Sequence, residues 1–494
     1  MITPSLKAFL ALSRKSTVIP VYKEISADLD TPVSCFLKLA PQRYMFLLES
    51  VEGQEKIARY SFLGSGSSLV LKSKGRTIER IEGNRSRRFV TATDPLDEIK
   101  KCMADFRPAQ IKGLPRFFGG FVGYVGYDFV RFVEKIPDKN PDDLRLPDMV
   151  FMLTDTILVF DHVNHTLKVI NNVLLPAASS KLTRKQKERL YTRAVNTIDG
   201  ILRQLQRPLA SRPAEPSAQA GGIEITSNVE KSEFCGIVNK AKKFIRKGDI
   251  IQVVPSQRFK ARIKKGAFDV YRSLRSLNPS PYMFFLKLDA LTLVGASPEL
   301  LVRCEDGQVR TRPIAGTRRR GKTEEEDLKL EQELRADEKE KAEHLMLVDL
   351  GRNDIGRVSK TGSVKVQNFM SVERYSHVMH LVSDVVGVLD RRFDSFDVLR
   401  ACFPAGTVSG SPKVRAMEII DELENVRRGP YAGCVGYISF ARAMDTCITI
   451  RTIVIKDNTA YIQAGAGIVA DSVPAKEYAE TVNKAKALME ALTR

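Results

Sequence analysis

The stretch LTLVGASPELLVRCEDGQVRTRPIAGT, residues 291–317, decides the fold class. Its apolar runs have the length of strands. They lie at 291–294, 300–304 and 308–312. The Asp306-Gly307 pair separates the last two, and this dipeptide is a strong signal for a two-residue hairpin turn. Strands that follow one another without a helix between them predict antiparallel pairing, and therefore an α+β fold rather than a doubly wound one.

The rest of the C-terminal half mixes strands with helices. A strand is predicted at 250–255, and a meander of three strands at 435–440, 447–455 and 459–464. Helical periodicity or helix-forming composition predicts helices at 232–247, 323–350, 411–424 and 475–492.

The N-terminal part forms a separate predicted unit at 1–205. Its strands are predicted at 69–72 and 149–160, and its charged amphipathic helix at 183–206. Residues 206–223 carry three prolines and many small residues without an apolar period, so we predict a linker there. The expected organisation is thus 1–205, this linker, and a second domain at 224–494.

Composition excludes several classes of protein. The chain has 494 residues, 43% apolar and 28% charged, which suits a globular protein of two to four domains. No apolar run reaches the ~20 residues of a membrane span, and the first residues do not resemble a secretory signal, so we expect no membrane association. The seven cysteines are scattered and odd in number, which favours a cytoplasmic location over a disulfide framework or a zinc site.

The net charge of +19 raises nucleic-acid binding as an alternative function. The basic residues, however, form short separate clusters that match no zinc-finger, RNP-type or basic-zipper pattern. Solvated surface charge is therefore the favoured interpretation, and we expect no nucleic-acid partner.

Small and basic residues follow the hairpin at 313–321, PIAGTRRRG. Small residues let a ligand approach the backbone, Thr317 supplies a hydroxyl, and the arginines supply positive charge, which together suit a small carboxylate-bearing substrate. Gly465 and Gly467 lie between a predicted strand and a predicted helix, where backbone amides can hold a carboxylate.

Two pairs of glutamates share the spacing i, i+3 on predicted helices, which places the members of each pair on one face. They are Glu340 with Glu343 and Glu477 with Glu480. Two such pairs could enclose a hard divalent cation such as Mg²⁺, although this spacing is also common on solvated surfaces. The spacing alone leaves both interpretations open.

Glu299 and His380 also have two interpretations each. Glu299 follows a strand and a proline, and is either a turn acid or a positioned general acid. His380 lies among apolar residues and is either a core residue or a catalyst.

Ten motifs occur in a fixed order along nearly the whole chain. They are LLES (47–50), RYSFLG (59–64), IQVVPSQR (251–258), NPSPYMF (278–284), GASPE (295–299), PIAGTR (313–318), DEKEKAEH (337–344), DLGRN (349–353), PAGTVSGSPK (404–413) and GAGIVAD (465–471). Together they resemble the chorismate-utilising enzymes, most closely the large subunits, or component I, of anthranilate synthases.

The resemblance implies a fold and a reaction. The expected fold is α+β, with antiparallel sheets packed in a sandwich and flanking helices. Residues 1–205 would form a regulatory and structural region intertwined with a catalytic domain at 224–494. The expected reaction converts chorismate and ammonia, through aminodeoxyisochorismate, into anthranilate and pyruvate. It requires Mg²⁺ and is the first committed step of tryptophan biosynthesis.

The resemblance also implies roles for individual residues. The catalytic positions are Glu299, which would protonate the departing hydroxyl, His380, which would serve pyruvate elimination, and Gln252 and Thr317. The chorismate-binding positions are Thr407, Tyr431, Arg451, Gly465 and Gly467. The metal positions are Glu343 and Glu480, with Glu340 and Glu477 beside them.

Two positions separate the related enzymes. In isochorismate and salicylate synthases a lysine that activates water stands at the position of Gln252, and in many aminodeoxychorismate synthases a nucleophilic lysine stands at Ala315. This chain lacks both lysines, which favours addition of ammonia at C2. An aminodeoxychorismate synthase component I, or an enzyme that stops at aminodeoxyisochorismate, remains an alternative.

The family implies partners as well. Ammonia would come from a separate glutamine amidotransferase small subunit, giving a hetero-oligomer such as a heterotetramer. Tryptophan would inhibit the enzyme allosterically, bound by Glu49, Ser50, Pro281, Tyr282 and Met283. The chain itself contains no tryptophan, which is compatible with an enzyme that must be made when tryptophan is scarce.

Overall fold

Antiparallel strand pairing organises the residues that the computed structural model describes, 1–50, 59–176, 182–209, 223–375 and 378–494. Most of the predicted linker, 210–222, lies outside these residues. The strands are β1 (Ile2–Thr3), β2 (Val18–Ser26), β3 (Tyr44–Glu49), β4 (Tyr60–Ser65), β5 (Val70–Lys74), β6 (Thr77–Glu82), β7 (Arg85–Val90), β8 (Gly120–Val125), β9 (Met149–Thr154), β10 (Thr156–Asp161), β11 (Thr166–Leu174), β12 (Ile225–Ser227), β13 (Gln252–Val253), β14 (Ser256–Arg262), β15 (Tyr282–Leu288), β16 (Leu291–Ser297), β17 (Leu300–Glu305), β18 (Gln308–Thr311), β19 (Ile314–Arg319), β20 (Lys365–Arg374), β21 (Val378–Val388), β22 (Gly410–Ser411), β23 (Cys434–Ser439), β24 (Met444–Ile448), β25 (Thr452–Lys456) and β26 (Thr459–Gly465).

Helices occupy most of the remaining regular structure. The α-helices are α1 (Leu6–Leu12), α2 (Pro32–Lys38), α3 (Leu96–Ala104), α4 (Arg184–Leu205), α5 (Lys231–Arg246), α6 (Ala267–Leu277), α7 (Glu324–Ala336), α8 (Glu338–Gly356), α9 (Ser395–Cys402), α10 (Gly406–Ser409), α11 (Lys413–Leu423) and α12 (Pro474–Thr493), with a 3-10 helix at Tyr127–Phe132. Within the described residues, every helix is too short or too polar to cross a membrane.

Two twelve-stranded antiparallel sheets carry the fold. The first has the order β1-β2-β11-β10-β4-β3-β15-β16-β25-β26-β14-β12. The second has the order β19-β21-β18-β17-β24-β23-β8-β9-β5-β6-β7, with β20 also paired to β21. Strands from before and after the predicted linker meet within each sheet, where β3 pairs with β15 and β8 pairs with β23.

A shared apolar core joins the two sheets. Phe62 of the first sheet contacts Tyr437 of the second, with ring centroids 5.8 Å apart, and both contact Phe117. A second core, which includes Ile198 and Leu488, lies between the first sheet and its helices. These contacts confirm the predicted α+β class, with antiparallel sheets in a sandwich and flanking helices.

Two of the predicted strands are each divided in the structure into two shorter strands. The two parts of each belong to different sheets. The run 149–160 divides at Asp155 into β9 of the second sheet and β10 of the first. The run 447–455 divides at 449–451 into β24 and β25, so the predicted single meander is wrong. Both halves of each run are buried, so their apolar pattern does not reveal where the chain crosses between layers.

The helix predicted at 323–350 is likewise two helices, α7 and α8, that meet at Asp337. Asp337 has extended backbone dihedrals, and its side chain accepts hydrogen bonds from the backbone N–H groups of Lys339 and Glu340. Asp337 therefore serves as the N-cap of the helix that carries the first glutamate pair.

Glycines opposite phenylalanines let adjacent strands of the first sheet pack closely. Gly64 pairs with Phe46 across β3 and β4, and Gly295 pairs with Phe284 across β15 and β16. A Cβ at either glycine would overlap the facing ring, and both rings are buried. These positions therefore require glycine for packing rather than for an unusual backbone conformation.

We predict that Gly295→Ala lowers the free energy of unfolding by about 1–3 kcal/mol, because the methyl group overpacks the core against Phe284. Gly236→Ala is the matched control, because Gly236 lies within α5 and has open space where its Cβ would be. It should be neutral or stabilise the protein by about 0.5–1 kcal/mol. Urea unfolding of both variants measures the difference, and equal effects would contradict the packing argument.

Candidate active site

Glutamates on α8 form one side of the candidate site. Burial raises the pKa of Glu343, and the nearby carboxylates of Glu340 and Glu480 raise it further, while a hydrogen bond from Gln252 Nε2 to Glu343 Oε1 (3.3 Å) lowers it. Gln252 is only 4% exposed, and within the described part of the chain its Oε1 has no hydrogen-bond partner. Glu340 is paired to Arg318 Nη1 at 3.2 Å. Uncompensated negative charge therefore remains around Glu343.

Glutamates on α12 form the opposite side. Burial raises the pKa of Glu477, and the neighbouring Glu480 raises it further. Glu480 pairs with Lys484 Nζ at 2.7 Å, one helical turn later. The two predicted glutamate pairs are close enough to interact electrostatically, because the Glu480 carboxylate raises the pKa of Glu343.

These acids fit a hard cation in chemistry, but their side chains are not closed around one. Within the described ranges, no three His, Cys, Asp or Glu side chains converge closely enough to hold a metal ion. The partly buried carboxylates of Glu343 and Glu477 repel their neighbours, and the unpartnered Gln252 Oε1 is a further hard oxygen nearby. A divalent cation would relieve this repulsion. The metal-binding roles stay a prediction.

Glu299 lies in the loop between β16 and β17. Thr407 Oγ1 donates a hydrogen bond to Glu299 Oε2 at 2.9 Å. Burial raises the pKa of Glu299, while Thr407, Lys484 and Arg451 act in the opposite direction. A carboxyl group that resists ionisation beside two cations is suited to donating a proton to an anionic ligand.

A β-bulge brings Thr317 and His380 together. The register of β19 against β21 shifts between Ala315 and Thr317, and Gly316 has φ +66°. His380 Nδ1 lies 3.0 Å from the carbonyl oxygen of Gly316 and 3.1 Å from Thr317 Oγ1. Because a carbonyl only accepts, Nδ1 carries the proton and Nε2 is the ring's acceptor. Burial lowers the pKa of His380, which favours this neutral form.

Basic and glycine residues complete the site. Arg451, which has φ +49°, donates to the carbonyl oxygen of Lys484 at 2.6 Å, and Lys484 Nζ donates to the carbonyl oxygen of Gly465 at 3.0 Å. A Cβ at Gly465 would lie 2.8 Å from the Tyr431 hydroxyl, and one at Gly467 would lie 2.8 Å from Gln252 Nε2. Glycine is thus needed at 465, where the Pro255 carbonyl oxygen would also lie only 2.9 Å away, whereas at 467 a Cβ would require the Gln252 side chain to move.

The structure therefore brings the predicted catalytic, substrate-binding and metal-binding residues into one region. Arg451 acts electrostatically on both Glu299 and His380. It therefore connects the Glu299 loop with the bulge that carries Thr317. Sequence reasoning missed Lys484, which contacts Glu480 and Gly465 and lowers the pKa of Glu299, Glu343 and Glu477. The available signal was its i, i+4 spacing after Glu480.

Away from these residues, a cavity of about 280 Å³ lies between the sheets. All five residues predicted to bind tryptophan line it: Glu49, Ser50, Pro281, Tyr282 and Met283. The Glu49 carboxylate accepts hydrogen bonds from Tyr271 (2.5 Å) and Arg275 (3.1 Å), while Ser50 Oγ is buried and has no hydrogen-bond partner among the residues that the structure describes. On another wall, Arg303 pairs with Asp445 at 2.7 Å. The cavity is thus polar at several points and apolar elsewhere.

Known proteins are similar to this chain in sequence over nearly its full length. A family model described as chorismate binding enzyme matches residues 45–490. The chain is 52% identical to anthranilate synthase component 1 of Aquifex aeolicus, over 99% of this chain and 97% of that protein. It is 50% identical to the protein of the same description from Acetivibrio thermocellus, over 100% and 99%.

Solved structures of chorismate-converting enzymes are similar to this chain in fold. The crystal structure of anthranilate synthase component I from Streptococcus pneumoniae superposes with a TM-score of 0.76 at 38% identity, and the match covers 94% of this chain and 99% of that one. The menaquinone-specific isochorismate synthase of Escherichia coli superposes with a TM-score of 0.69 at 20% identity, over 100% and 99%, which shows a common fold.

We predict that Lys484→Met destabilises the protein increasingly as pH rises. The pKa values of Glu299, Glu343 and Glu477 are already raised, so their ionisation costs stability as pH rises through the folded-state pKa values. Removing the Lys484 charge raises these pKa values further. The loss should reach about 1 kcal/mol at neutral pH, since Lys484 is partly exposed and its charge is screened.

Unfolding of wild type and variant between pH 4 and 8 measures this trend. Lys486→Met is the matched control, because Lys486 is an exposed residue of the same helix. A pH-independent difference for Lys484→Met, or the same trend for Lys486→Met, would contradict the electrostatic role of Lys484.

Proposed function

The chain belongs to the anthranilate synthase component 1 family of chorismate-converting lyases, and we propose that it makes anthranilate and pyruvate from chorismate and ammonia. The observation that supports this most is Glu299, a half-buried carboxyl group that is hydrogen-bonded to Thr407 and has a raised pKa near Arg451 and Lys484. That combination can bind a dianionic substrate and protonate a leaving hydroxyl at the same place.

Binding of chorismate would use the cations and the glycine loop. Arg451 and Lys484 supply positive charge for the carboxylates, and Thr407, Tyr431, Gly465 and Gly467 shape the pocket around the ring. Glu343 and Glu480 would hold Mg²⁺, with Glu340 and Glu477 beside them. When bound, Mg²⁺ would neutralise the ring carboxylate and withdraw electrons from the ring.

The first step forms the C2–N bond and breaks the C4–O bond. Glu299 transfers its proton to the departing C4 hydroxyl, which leaves as water. The excess proton on the new amine passes to a base or to solvent. Gln252, whose neutral amide contacts Glu343, cannot activate water as a lysine could, which favours ammonia as the nucleophile.

The second step removes the C2 proton and breaks the C3–O bond, which leaves an aromatic ring and releases enolpyruvate. Enolpyruvate then takes up a proton at its methylene carbon and becomes pyruvate. His380 is the residue that we assign to this step, since its Nδ1 is tied to Gly316 and Nε2 is left as the acceptor. Thr317, within 3.1 Å of the same imidazole nitrogen, helps to fix the ring.

Ammonia would come from a separate glutamine amidotransferase subunit in the cytoplasm, and the two chains would form a hetero-oligomer. The description "component 1" of the relatives is consistent with a partner component. Tryptophan would bind in the 280 Å³ cavity. There the Glu49 carboxylate could accept hydrogen bonds from the ligand's ammonium group in place of those from Tyr271 and Arg275. Since the cavity is separate from Glu299, inhibition would require different tryptophan affinities for two arrangements of the protein.

The purified chain tests the function directly. With chorismate, Mg²⁺ and ammonium at alkaline pH, we expect anthranilate fluorescence, and with glutamine instead of ammonium we expect none until an amidotransferase subunit is added. Chromatography of quenched reactions separates anthranilate from aminodeoxyisochorismate and aminodeoxychorismate. If aminodeoxychorismate is the only product, the chain is an aminodeoxychorismate synthase component I and the proposal is overturned. If aminodeoxyisochorismate is the only product, the enzyme stops at that compound and the proposal is likewise overturned.

We predict that Glu343→Gln and Glu480→Gln each lower kcat/KM by about 100-fold or more, because each replaces an anionic ligand of a hard cation with a neutral amide. Glu418→Gln, an α11 residue that pairs with Arg415, is the control and should keep normal activity. Titration of Mg²⁺ should show weaker binding in the two site variants. Near-normal turnover in both at ordinary Mg²⁺ would refute the metal assignment.

We predict that Ser50→Phe raises the tryptophan concentration for half-inhibition by about tenfold or more, since a bulky ring fills the cavity. Chorismate turnover without tryptophan should be largely retained. Ser50→Ala is the control, because it keeps the space and removes only the hydroxyl. If wild type is insensitive to millimolar tryptophan, or if the phenylalanine variant is inhibited as readily, the cavity has another role.

A further inference from the structure

A buried ion pair lies behind the candidate active site. Glu424 follows the last residue of α11, and Arg428 lies four residues further along the chain, in the irregular segment after the helix. Arg428 Nε and Nη2 donate to the Glu424 carboxylate at 3.0 and 2.6 Å, and both side chains are almost completely buried, at 1% and 4% exposure. The role of this pair is separate from the catalytic assignments above.

The pair connects three chain segments that carry site residues. Arg428 Nη2 donates to the carbonyl oxygen of Val254 at 2.7 Å, and Nη1 donates to that of Val408 at 2.8 Å. Val254 is two residues beyond Gln252, and Val408 directly follows Thr407. One guanidinium group thus sets the distance between the Gln252 segment and the Thr407 segment.

The same guanidinium group contacts a third site residue. Its Cζ lies 5.4 Å from the centroid of the Tyr431 ring and 4.7 Å from that of Tyr127, within the range of cation–π contacts. Glu424 in turn accepts from the backbone N–H and the hydroxyl of Ser256 at 2.9 and 2.7 Å. All these partners are internal, and Arg428 is separated from solvent.

Stability alone is a weak reason for such a pair. Removing two charges from water is costly, and buried ion pairs often contribute little or nothing relative to apolar residues of similar volume. The guanidinium, however, is a rigid planar fork that can hold two carbonyl oxygens and a carboxylate in fixed directions. A lysine has the charge but lacks this geometry.

We propose that Arg428, held by Glu424, is a positioning residue of the chorismate site: it fixes the relative places of Gln252, Thr407 and Tyr431. The inference rests on the proposed function, because the three segments meet at a chorismate site only if that function holds. Arg428 does not touch the substrate. It acts through the backbone at Val254 and Val408 and through the face of Tyr431.

Kinetics of Arg428→Lys test this role. Displacement of binding groups by about 1 Å can cost about 100-fold in rate, so we expect kcat/KM for chorismate to fall by about 30-fold or more. Most of the loss should appear in KM, because the segments carry substrate-binding groups. Calorimetric titration with chorismate in the absence of ammonium should show the same loss of affinity.

Arg400→Lys is the matched control. Arg400 is also a mostly buried arginine with several carboxylate partners, since it joins α3 and α9 through Asp94, Asp97 and Asp397. It should lose thermal stability without a change in chorismate KM. If Arg428→Lys keeps wild-type KM and chorismate affinity while losing stability as Arg400→Lys does, the pair is structural and the proposal is overturned.

Glu424→Asp provides a second variant, should Arg428→Lys fail to fold. It retains both charges but moves the carboxylate by one methylene, so a positioning role predicts a raised KM for chorismate with the protein still folded. Unchanged KM would overturn the proposal. Absence of anthranilate formation by wild type would refute the proposed function instead, and the chorismate titrations of the three variants would still decide the role of Arg428.

Discussion

The pairing of distant chain segments within each sheet is the constraint on which the rest of the structure depends. β3 with β15 and β8 with β23 join residues far apart in sequence into continuous sheets. The shared core between these sheets buries Phe62 against Tyr437. Without these pairings neither the 280 Å³ cavity nor the order of strands around Glu299 would exist, because both need strands from the two sheets.

The candidate active site holds several carboxylates close together, where they repel one another. Glu343 and Glu477 are partly buried near other carboxylates, and their pKa values are raised first by burial and then by repulsion from these neighbours. Arg318 and Lys484 offset part of it through Glu340 and Glu480. Rigid helices hold the acids in place, so the unfavourable charge density persists and can be used to bind a cation.

Local signals made part of this structure predictable. The Asp306-Gly307 turn and the terminal helix follow from short-range rules, and α12 extends only slightly beyond its predicted bounds. The crossings at Asp155 and at 449–451 did not follow, because buried strands of both sheets have the same apolar pattern. Likewise, helix spacing placed each glutamate pair on one face, but the approach of α8 to α12 and the place of Lys484 depend on tertiary packing.

One strand pair runs from Glu299 to the wall of the 280 Å³ cavity. β17 starts directly after Glu299 and carries Arg303 into the wall of the 280 Å³ cavity, and its partner β24 carries Asp445 into the same wall. At the other end, the N–H of Ile448 in β24 donates to the carbonyl oxygen of Glu299 at 3.0 Å. The register between the two strands shifts between Leu300 and Val302, beside Glu299.

A bulge at that point allows a strand to change its local twist without breaking the pairing on either side. A ligand in the cavity that favours one position of Arg303 and Asp445 would therefore act on the backbone of Glu299 without contacting chorismate. The coupling would be reciprocal: if the ligand weakens the binding of chorismate, chorismate weakens the binding of the ligand by the same factor. The β17–β24 pair would thus be the physical connection between the proposed regulatory cavity and the proposed catalytic residue Glu299.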